Sequence, residues 1–386
     1  MRRLSYILTV LLLLILPSAA AMCCTSAIFS CKVTASGRPE IWKNRDSGYM
    51  QNRINYAPAG ADIKYSFLYL SNSKGGDPEA WSGVNSAGFS IMNTVSYNIR
   101  QEGDSTSTAL MDREGIVMYK ALGCCATLED FEQLLYSLEA PYGLETNFGV
   151  IDSFGGAAYY EVNNYTWVKY DVNDESVAPD GYLIRSNYSF SGREGQGQGY
   201  VRYYNASKQI KDRLESGAKI DPVWIMNSLS RSYWQSHIGF DPLERGNDFF
   251  LDKDFIPRKS TCAVTIVEGV NPGEDPQQAV MWSALGYPPT SQMVPLMVVA
   301  GEYMPAEMTA KNQYLNSEAC SRSLKRKAAI FSEKKSGDYH YIDLDKIRKE
   351  LQQTRASENK MLDLWQKLDK TDTGQLRKFY EEIEIR

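Results

Sequence analysis

The N-terminal segment constrains this chain most, because it separates residues that would be removed from residues that must fold. Arg2 and Arg3 provide a positive start. Residues 6–17 then form a short apolar run, and residues 18–21 are small. This order is typical of a secretory signal peptide, and the run is too short for an ordinary membrane span. We therefore expect export of the chain and no stable membrane insertion of its mature form.

The cleavage position decides which residue becomes the new N-terminus. Residues 19–21 form a small-x-small site that would leave Met22 first. Residues 21–23 form another, which would leave Cys24 first. Both positions stay open at this point. Lipidation of Cys23 is a weaker alternative, because a lipoprotein signal needs a small residue where Met22 stands.

Composition is that of an ordinary globular protein. The chain has 386 residues, of which 43% are hydrophobic and 23% are charged, which is enough for a sizeable core. The formal net charge is −5, and the body of the chain holds no block of basic residues. Nucleic acid is therefore not expected as a partner.

The seven cysteines do not form the pattern of a compact disulfide scaffold. Their number is odd and they are spread across most of the chain. Neighbours such as Cys124 and Cys125 are poorly placed to bridge one another. At least one thiol is expected to stay free, which invites a chemical role. Only two histidines are present, His237 and His340, and no convincing ligand cluster predicts a metal site.

The order of predicted elements indicates sheets covered by helices. Short β-prone runs lie at residues 25–29, 40–43, 65–70, 147–152, 157–162, 167–171, 181–187, 260–268, 278–283 and 295–300. Helical patterns lie at residues 112–124, 127–138, 200–215, 221–230 and 344–368. Strands, helices and strands again predict an α+β class. The glycine-rich run 191–199 predicts a mobile loop over a site, and the charged composition after residue 304 predicts a helical C-terminal extension.

Cys24 would carry two reactive groups if it became the N-terminal residue. Its thiol is a nucleophile, and its own α-amine can serve as the base. Reference pKa values are about 8.5 for a thiol and about 7.7–8.0 for an α-amine, so proton transfer between them is nearly balanced. Thiolate is the attacking species, and neighbouring cations favour it. A buried or disulfide-bonded cysteine beside a signal peptide explains the same residue, and the residue chemistry alone leaves both interpretations open.

Several short motifs follow one another from Cys24 onward. They are Cys24-Thr25-Ser26, Lys43-Asn44-Arg45-Asp46, Gly83-Val84-Asn85-Ser86-Ala87-Gly88, Asn93, Arg185-Ser186-Asn187-Tyr188 and the region 258–283. Together they resemble the linear-amide C–N hydrolase branch of the N-terminal nucleophile (Ntn) hydrolases. This branch includes choloylglycine hydrolases, penicillin V acylases, the acyl-CoA:6-aminopenicillanate acyltransferase group and, more distantly, acid ceramidase and a group of dipeptidases. The resemblance covers roughly residues 24–300.

The resemblance implies roles for individual residues. Cys24 matches the nucleophile, which processing must make N-terminal, and Asp46 matches the aspartate that hydrogen-bonds its α-amine. Asn187 matches the asparagine whose side-chain amide helps to form the oxyanion hole, a task that suits a neutral donor. Asn93 matches a second asparagine near the same site. Arg258 is a looser match to an arginine that precedes a late strand.

One position departs from the pattern of the family. Choloylglycine hydrolases have an arginine three residues before the aspartate, and here that position holds Lys43, while Arg45 directly precedes Asp46. A lysine can still favour the thiolate, but it lacks the planar fork of arginine. The departure argues against bile-salt hydrolysis proper and leaves amide hydrolysis intact.

The resemblance also implies the architecture and the chemistry of ligands. It implies a four-layer αββα Ntn-hydrolase sandwich over residues 24–303, between residues 1–23, which maturation removes, and the helical C-terminal extension 304–386. It implies a small-molecule amide substrate and no metal or organic cofactor. The helices of the extension could present an apolar stripe to a second copy of the chain.

The resulting prediction is an exported, periplasmic or secreted, cysteine-nucleophile amidohydrolase. It would cleave a linear amide, such as an N-acyl amino acid, an acylated amine or a short peptide, through a thioester on Cys24. The resemblance implies that autocatalysis or a peptidase exposes this residue. Acyl transfer and dipeptide cleavage are alternatives with related chemistry. The alternative without catalysis is a disulfide-bonded exported binding protein on the same scaffold, with Cys24 oxidised to Cys31.

Overall fold

A computed structural model describes residues 24–386 of the chain, except Gly75, Asp77, Asn247 and Gln313. The predicted signal peptide, residues 1–23, lies outside the described residues. None of the helices described is both long enough and apolar enough to cross a bilayer.

The described residues form strands and helices over most of the chain. The strands are β1 (Thr25–Phe29), β2 (Glu40–Asp46), β3 (Asn52–Ala57), β4 (Phe67–Asn72), β5 (Ser82–Asn85), β6 (Ser90–Val95), β7 (Thr146–Ile151), β8 (Ala157–Val162), β9 (Trp167–Asp171), β10 (Tyr182–Arg185), β11 (Phe249–Leu251), β12 (Thr261–Glu268), β13 (Val280–Leu285), β14 (Val294–Leu296), β15 (Phe331–Ser336) and β16 (Tyr339–Asp343). The main helices are α1 (Glu114–Cys124), α2 (Leu128–Tyr136), α3 (Tyr200–Glu215), α4 (Glu318–Ala328), α5 (Leu344–Gln366) and α6 (Thr373–Glu382). A helical turn at Pro222–Trp224 continues as a π-helix at Ile225–Ser230.

Two antiparallel sheets form the body. One has six strands in the order β10-β1-β2-β12-β13-β14, and the other has seven strands in the order β3-β4-β5-β6-β7-β8-β9. Because β1 and β2 are antiparallel neighbours, with Thr25 opposite Asn44, the start of β1 lies beside the end of β2. This pairing brings the first described residues next to the second sequence motif.

Side chains that alternate along the strands show how the layers stack. Ser26 on β1 hydrogen-bonds the Tyr159 hydroxyl on β8 at 2.8 Å, so these faces of the two sheets meet. The neighbouring Thr25 points to the opposite side, where its hydroxyl accepts a hydrogen bond from Arg202 on α3 at 2.7 Å. Helix α1 covers the outer face of the second sheet, and the Asn85 amide donates to the Leu122 carbonyl at 2.8 Å. The predicted α+β class and its αββα layering are thereby confirmed.

Local signals account for several elements of the body. Asn85 binds the backbone N–H groups of Ala87 and Phe89 through its side-chain oxygen, which closes the turn between β5 and β6. Thr127 begins α2 with a capping box to Asp130, as its spacing predicts. The predicted strand at residues 295–300 is wrong in its second half, because the chain forms a 3-10 turn after β14.

The C-terminal segment, residues 304–386, is not helical throughout. Helices α4, α5 and α6 account for most of it, but β15 and β16 form a hairpin that pairs with β11 of the body. The highly charged β15 carries too few apolar residues to indicate a strand by itself. The segment is joined to the body by a buried ion pair in which Arg231 donates to both carboxylate oxygens of Glu358 at 2.6 and 2.7 Å. Whether it folds as a separate domain stays a prediction.

Candidate active site

Cys24 lies directly before β1, at one end of the space between the two sheets. The residue is buried, with 6% of its surface exposed. Its thiol donates to the main-chain carbonyl of Asp46 at 3.6 Å, and its own carbonyl accepts a hydrogen bond from Arg202 at 2.6 Å. The antiparallel pairing of β1 with β2 therefore holds the predicted nucleophile beside the predicted aspartate.

The Asp46 carboxylate is held on both oxygens. Arg258 donates to one oxygen through Nε at 2.6 Å in an ion pair that leaves the aspartate side chain 1% exposed. The other oxygen accepts from the Thr261 hydroxyl at 2.6 Å and from the Asn44 amide at 3.3 Å. Charge-assisted bonds of this kind orient a buried carboxylate firmly. The motifs in the sequence predicted Asp46 and Arg258 as separate site residues, and the fold brings their side chains into one ion pair.

Lys43 lies two residues before Arg45 on β2, so both side chains point toward the second sheet. Its ammonium donates to the Trp81 carbonyl and to the Asn93 side-chain oxygen, each at 2.7 Å. Burial lowers the pKa of Lys43 to about 8, and the nearby Cys24 thiol opposes this shift as its strongest electrostatic neighbour. Asn93 in turn donates to the Thr146 hydroxyl at 3.2 Å, so it serves as the orienting partner of this lysine.

Arg45 points to a different part of the inter-sheet space. Its guanidinium donates to the side-chain oxygens of Asn52 and Asn72, each at 2.8 Å, and to the Cys262 sulfur at 3.1 Å. It also lies 5.1 Å from the centre of the Trp81 ring. Arg45 therefore belongs to a polar cluster with Asn52, Asn72 and Cys262. The Cys24 thiol instead contacts the Asp46 carbonyl.

Asn187 is fully buried and is oriented at both ends of its side chain. Its amide nitrogen donates to the Val95 carbonyl at 2.8 Å, and its oxygen accepts from Arg202 at 2.8 Å. The same arginine reaches Cys24 and Thr25, so it joins the predicted oxyanion residue to the predicted nucleophile. The fold therefore brings Cys24 and Asn187 to two sides of one guanidinium.

Sequence analysis missed Arg202. It lies in the first turn of α3, in a helix rich in tyrosine and basic residues that shows no distinctive motif. The structure shows a constraint that the sequence does not: Gly199, at the end of the glycine-rich run, has a φ of 81°, and any Cβ there would collide with the Arg202 side chain. A glycine that must be small and left-handed at a helix start indicates a crowded site nearby.

The run 191–199, predicted to be a mobile loop, is hydrogen-bonded to its surroundings. Asn98 donates through its side chain to the carbonyls of Ser189 and Arg193, each at 3.0 Å. At the other end, the backbone N–H of Gln198 donates to the Asn187 carbonyl at 3.1 Å. The loop thereby supports the main chain of Asn187.

The remaining candidates from the sequence lie away from this cluster or serve packing. His237 is exposed on a turn, and Cys124 and Cys125 are thiols at the end of α1. Asn187 also begins an Asn-Tyr-Ser glycosylation sequon, but the residue is fully buried in this fold. Within the described ranges, no group of three or more His, Cys, Asp and Glu residues is arranged to hold a metal ion.

The chain was compared with known proteins, and the similarity found is to solved structures. No family model and no curated protein matches the sequence. Among solved structures, the chain is similar to an N-acylethanolamine-hydrolyzing acid amidase ortholog from Caenorhabditis elegans, at 16% identity and a TM-score of 0.42, over 63% of this chain and 92% of that one. It is also similar to a conjugated bile acid hydrolase from Clostridium perfringens, at 11% identity and a TM-score of 0.45, over 76% and 94% of the two chains.

A third structure of similar architecture is the penicillin V acylase from Agrobacterium tumefaciens, with 12% identity, a TM-score of 0.42, and coverage of 71% of this chain and 86% of the other. The three proteins are thus an acid amidase ortholog, a conjugated bile acid hydrolase and a penicillin V acylase. The roles of the individual site residues stay predictions.

Proposed function

We propose that the protein is an exported amide hydrolase whose nucleophile is Cys24, freed as the N-terminal residue by removal of residues 1–23. The observation that carries the proposal is the contact between the Cys24 thiol and Asp46, at 3.6 Å, inside a cluster of buried cations. Lys43 and Arg202 lie beside Cys24 and are each almost fully buried. Nearby positive charge favours the thiolate form of a cysteine.

The reaction follows from these groups. The α-amine of processed Cys24 takes the thiol proton, and the sulfur forms a bond to the carbonyl carbon of the amide while the C=O electron pair moves to oxygen. The side-chain amide of Asn187 stabilises that negative charge. The α-ammonium then returns the proton to the leaving nitrogen as the C–N bond breaks, and water cleaves the resulting thioester. Asp46, held by Arg258, keeps the α-amine in place.

The alternative without catalysis requires a disulfide between Cys24 and Cys31. These residues flank β1 beyond its opposite ends, and the five extended residues of the strand span about 16 Å. A disulfide needs Cα atoms within about 7 Å. Both cysteines are thiols in the structure, and Cys31 is exposed. The geometry of β1 therefore favours the enzyme over this binding-protein alternative.

The decisive experiment combines mass measurement with a change of the nucleophile. We expect the purified mature protein to begin at Cys24 by intact mass, and a thiol reagent to modify this residue rapidly. A panel of N-acyl amino acids, acylated amines, conjugated bile acids, penicillin V and dipeptides should contain a substrate. Amide cleavage should be lost in Cys24→Ala and kept in Cys31→Ala, the matched control at an exposed thiol.

Acyl transfer is tested on the same panel by adding acceptor amines. A transferase would release less free acid and form a new amide, because the acceptor competes with water for the thioester. Full activity of Cys24→Ala on every substrate would disprove the proposed chemistry. A mature chain that begins at Met22 and still cleaves amides would disprove the role given to the α-amine.

A further inference from the structure

One buried lysine of the C-terminal segment, Lys327, lies at the edge of the candidate active site. Lys327 lies in the last turn of α4 and is 5% exposed. Its ammonium donates to the Thr261 carbonyl at 2.8 Å and lies 5.3 and 5.9 Å from the ring centres of Tyr287 and Phe331. This residue lies outside residues 24–300, the range in which the sequence motifs resemble those of amide hydrolases.

Thr261 is the residue that presents a hydroxyl to Asp46. The two residues are opposite each other in the sheet, and the Thr261 hydroxyl donates to the Asp46 carboxylate at 2.6 Å. Immediately after Thr261, the pairing of β12 with β2 is irregular, because Cys262 is skipped before Ala263 pairs with Arg45. Irregularities of this kind re-aim side chains and are common beside active sites.

A buried ammonium is costly, so its position calls for a physical reason. Burial lowers the pKa of Lys327 to about 8, while the charges of Cys262, Asp46 and Asp252 oppose the shift. A well-packed apolar residue of similar volume would often be as stable or more stable at such a position. Stability alone therefore does not account for a lysine here.

We propose that Lys327 is a positioning residue of the Cys24 site, so that the C-terminal segment completes the site of the body. The inference rests on the proposed function of Cys24. It follows a short chain of contacts: Lys327 holds the Thr261 carbonyl, the Thr261 hydroxyl holds the Asp46 carboxylate, and the Asp46 carbonyl receives the Cys24 thiol. Loss of the first contact leaves the irregular start of β12 less constrained, and Asp46 turns with it.

The test compares three variants of the full mature protein. Lys327→Met keeps the side-chain volume and removes the charge and the hydrogen bond, whereas Lys327→Arg keeps a cationic donor. Lys325→Met is the matched control, because Lys325 lies on the same helix and is exposed. Each variant is first checked for folding by thermal unfolding, and then kcat and KM are measured for one amide substrate.

We expect Lys327→Met to lower kcat by one to two orders of magnitude with a small change in KM, because slight misplacement of catalytic groups can cost about a hundredfold in rate. Lys327→Arg should recover part of kcat, and Lys325→Met should match the native protein. A folded Lys327→Met protein with native kcat would overturn the inference. The inference would also be overturned if kcat fell in proportion to the amount of folded protein and Lys327→Arg did not restore it.

A second measurement separates this inference from the proposed function. The rate at which iodoacetamide modifies Cys24, followed by mass spectrometry of the N-terminal peptide, reports the environment of the thiol without any substrate. Lys327→Met should change this rate at least severalfold, and Lys325→Met should leave it unchanged. If Cys24→Ala keeps amide cleavage while Lys327→Met alters the alkylation rate, the proposed function fails and the structural coupling stands. An unchanged alkylation rate together with native kcat disproves the coupling alone.

Discussion

Strand β2 carries a buried carboxyl group at each end, and the two ends are built differently. Asp46 has an arginine, a threonine hydroxyl and an asparagine amide around it. Glu40 lies opposite Glu268 in the sheet, and neither oxygen of Glu40 has a hydrogen-bond partner in the part of the chain that the structure describes. Burial, together with the negative charges of Glu268 and Asp221, raises the pKa of Glu40 well above its ordinary value.

The difference shows how the surroundings of a buried carboxyl group determine which groups it can hold. Two carboxyl groups with nearly the same burial, on one strand, differ in the partners that the neighbouring elements supply. At the Asp46 end, a cation and two donors bind the carboxyl oxygens. At the Glu40 end, a second carboxylate and the absence of donors favour the neutral form. Only the first arrangement can hold an α-ammonium, and it is the one beside Cys24.

The largest expected effect comes from removing the charge at Asp46. Asp46→Asn keeps the shape of the side chain but no longer attracts the α-amine of processed Cys24 or pairs with Arg258. We expect kcat/KM for the amide substrate to fall by about 10²–10⁴-fold, the range for a disabled acid–base group. Steady-state kinetics on folded protein measures this. Glu40→Gln, at the other end of the same strand, is the matched control and should keep native kinetics.

A smaller effect is expected from removing the partner of Asp46. In Arg258→Met the carboxylate loses its ion pair and keeps the bonds from Thr261 and Asn44, so it is held less firmly. Loss of a charge-assisted hydrogen bond, about 1.5–3 kcal/mol, corresponds to a ten- to hundredfold decrease in kcat/KM. Steady-state kinetics on the folded variant measures this decrease. A native kcat/KM in a folded variant would show that Arg258 does not position Asp46, and Arg258→Lys should lie between native and Arg258→Met.

The smallest effect is a change in the pH dependence of stability at the Glu40 end. Because the folded state holds a proton on Glu40 that the unfolded state releases above the ordinary value of about 4.5, this residue makes stability fall as pH rises past that value. Glu40→Gln removes this contribution. The variant should therefore gain stability relative to the native protein between pH 4 and pH 8, as measured by denaturant unfolding across that range. A constant difference at all pH values would mean that Glu40 is ionised in the folded protein.

The sequence could predict some residues of the site and not others. Cys24 and Asp46 follow one another in recognisable motifs, and antiparallel pairing of two short neighbouring strands brings them together. Arg202 and Lys327 could not be found in this way, because a buried arginine or lysine on a helix has the same local sequence as an exposed one. Its burial depends on which sheet the helix covers. The hairpin of β15 and β16 was missed for a related reason, since its strands are stabilised by pairing with β11 rather than by their own apolar residues.

The sequence by itself determined the class of the fold and the order of the motifs, because turn residues, helix caps and the alternation of apolar residues act over a few positions. The predicted strand ended at residue 43, however, so the placement of Arg45 and Asp46 on β2 came from the structure. Only the tertiary structure decided that Arg258 pairs with Asp46, that Arg202 joins Cys24 to Asn187, and that the C-terminal segment reaches Thr261. These contacts connect residues far apart in the chain, and burial fixes their partners only when the layers are assembled.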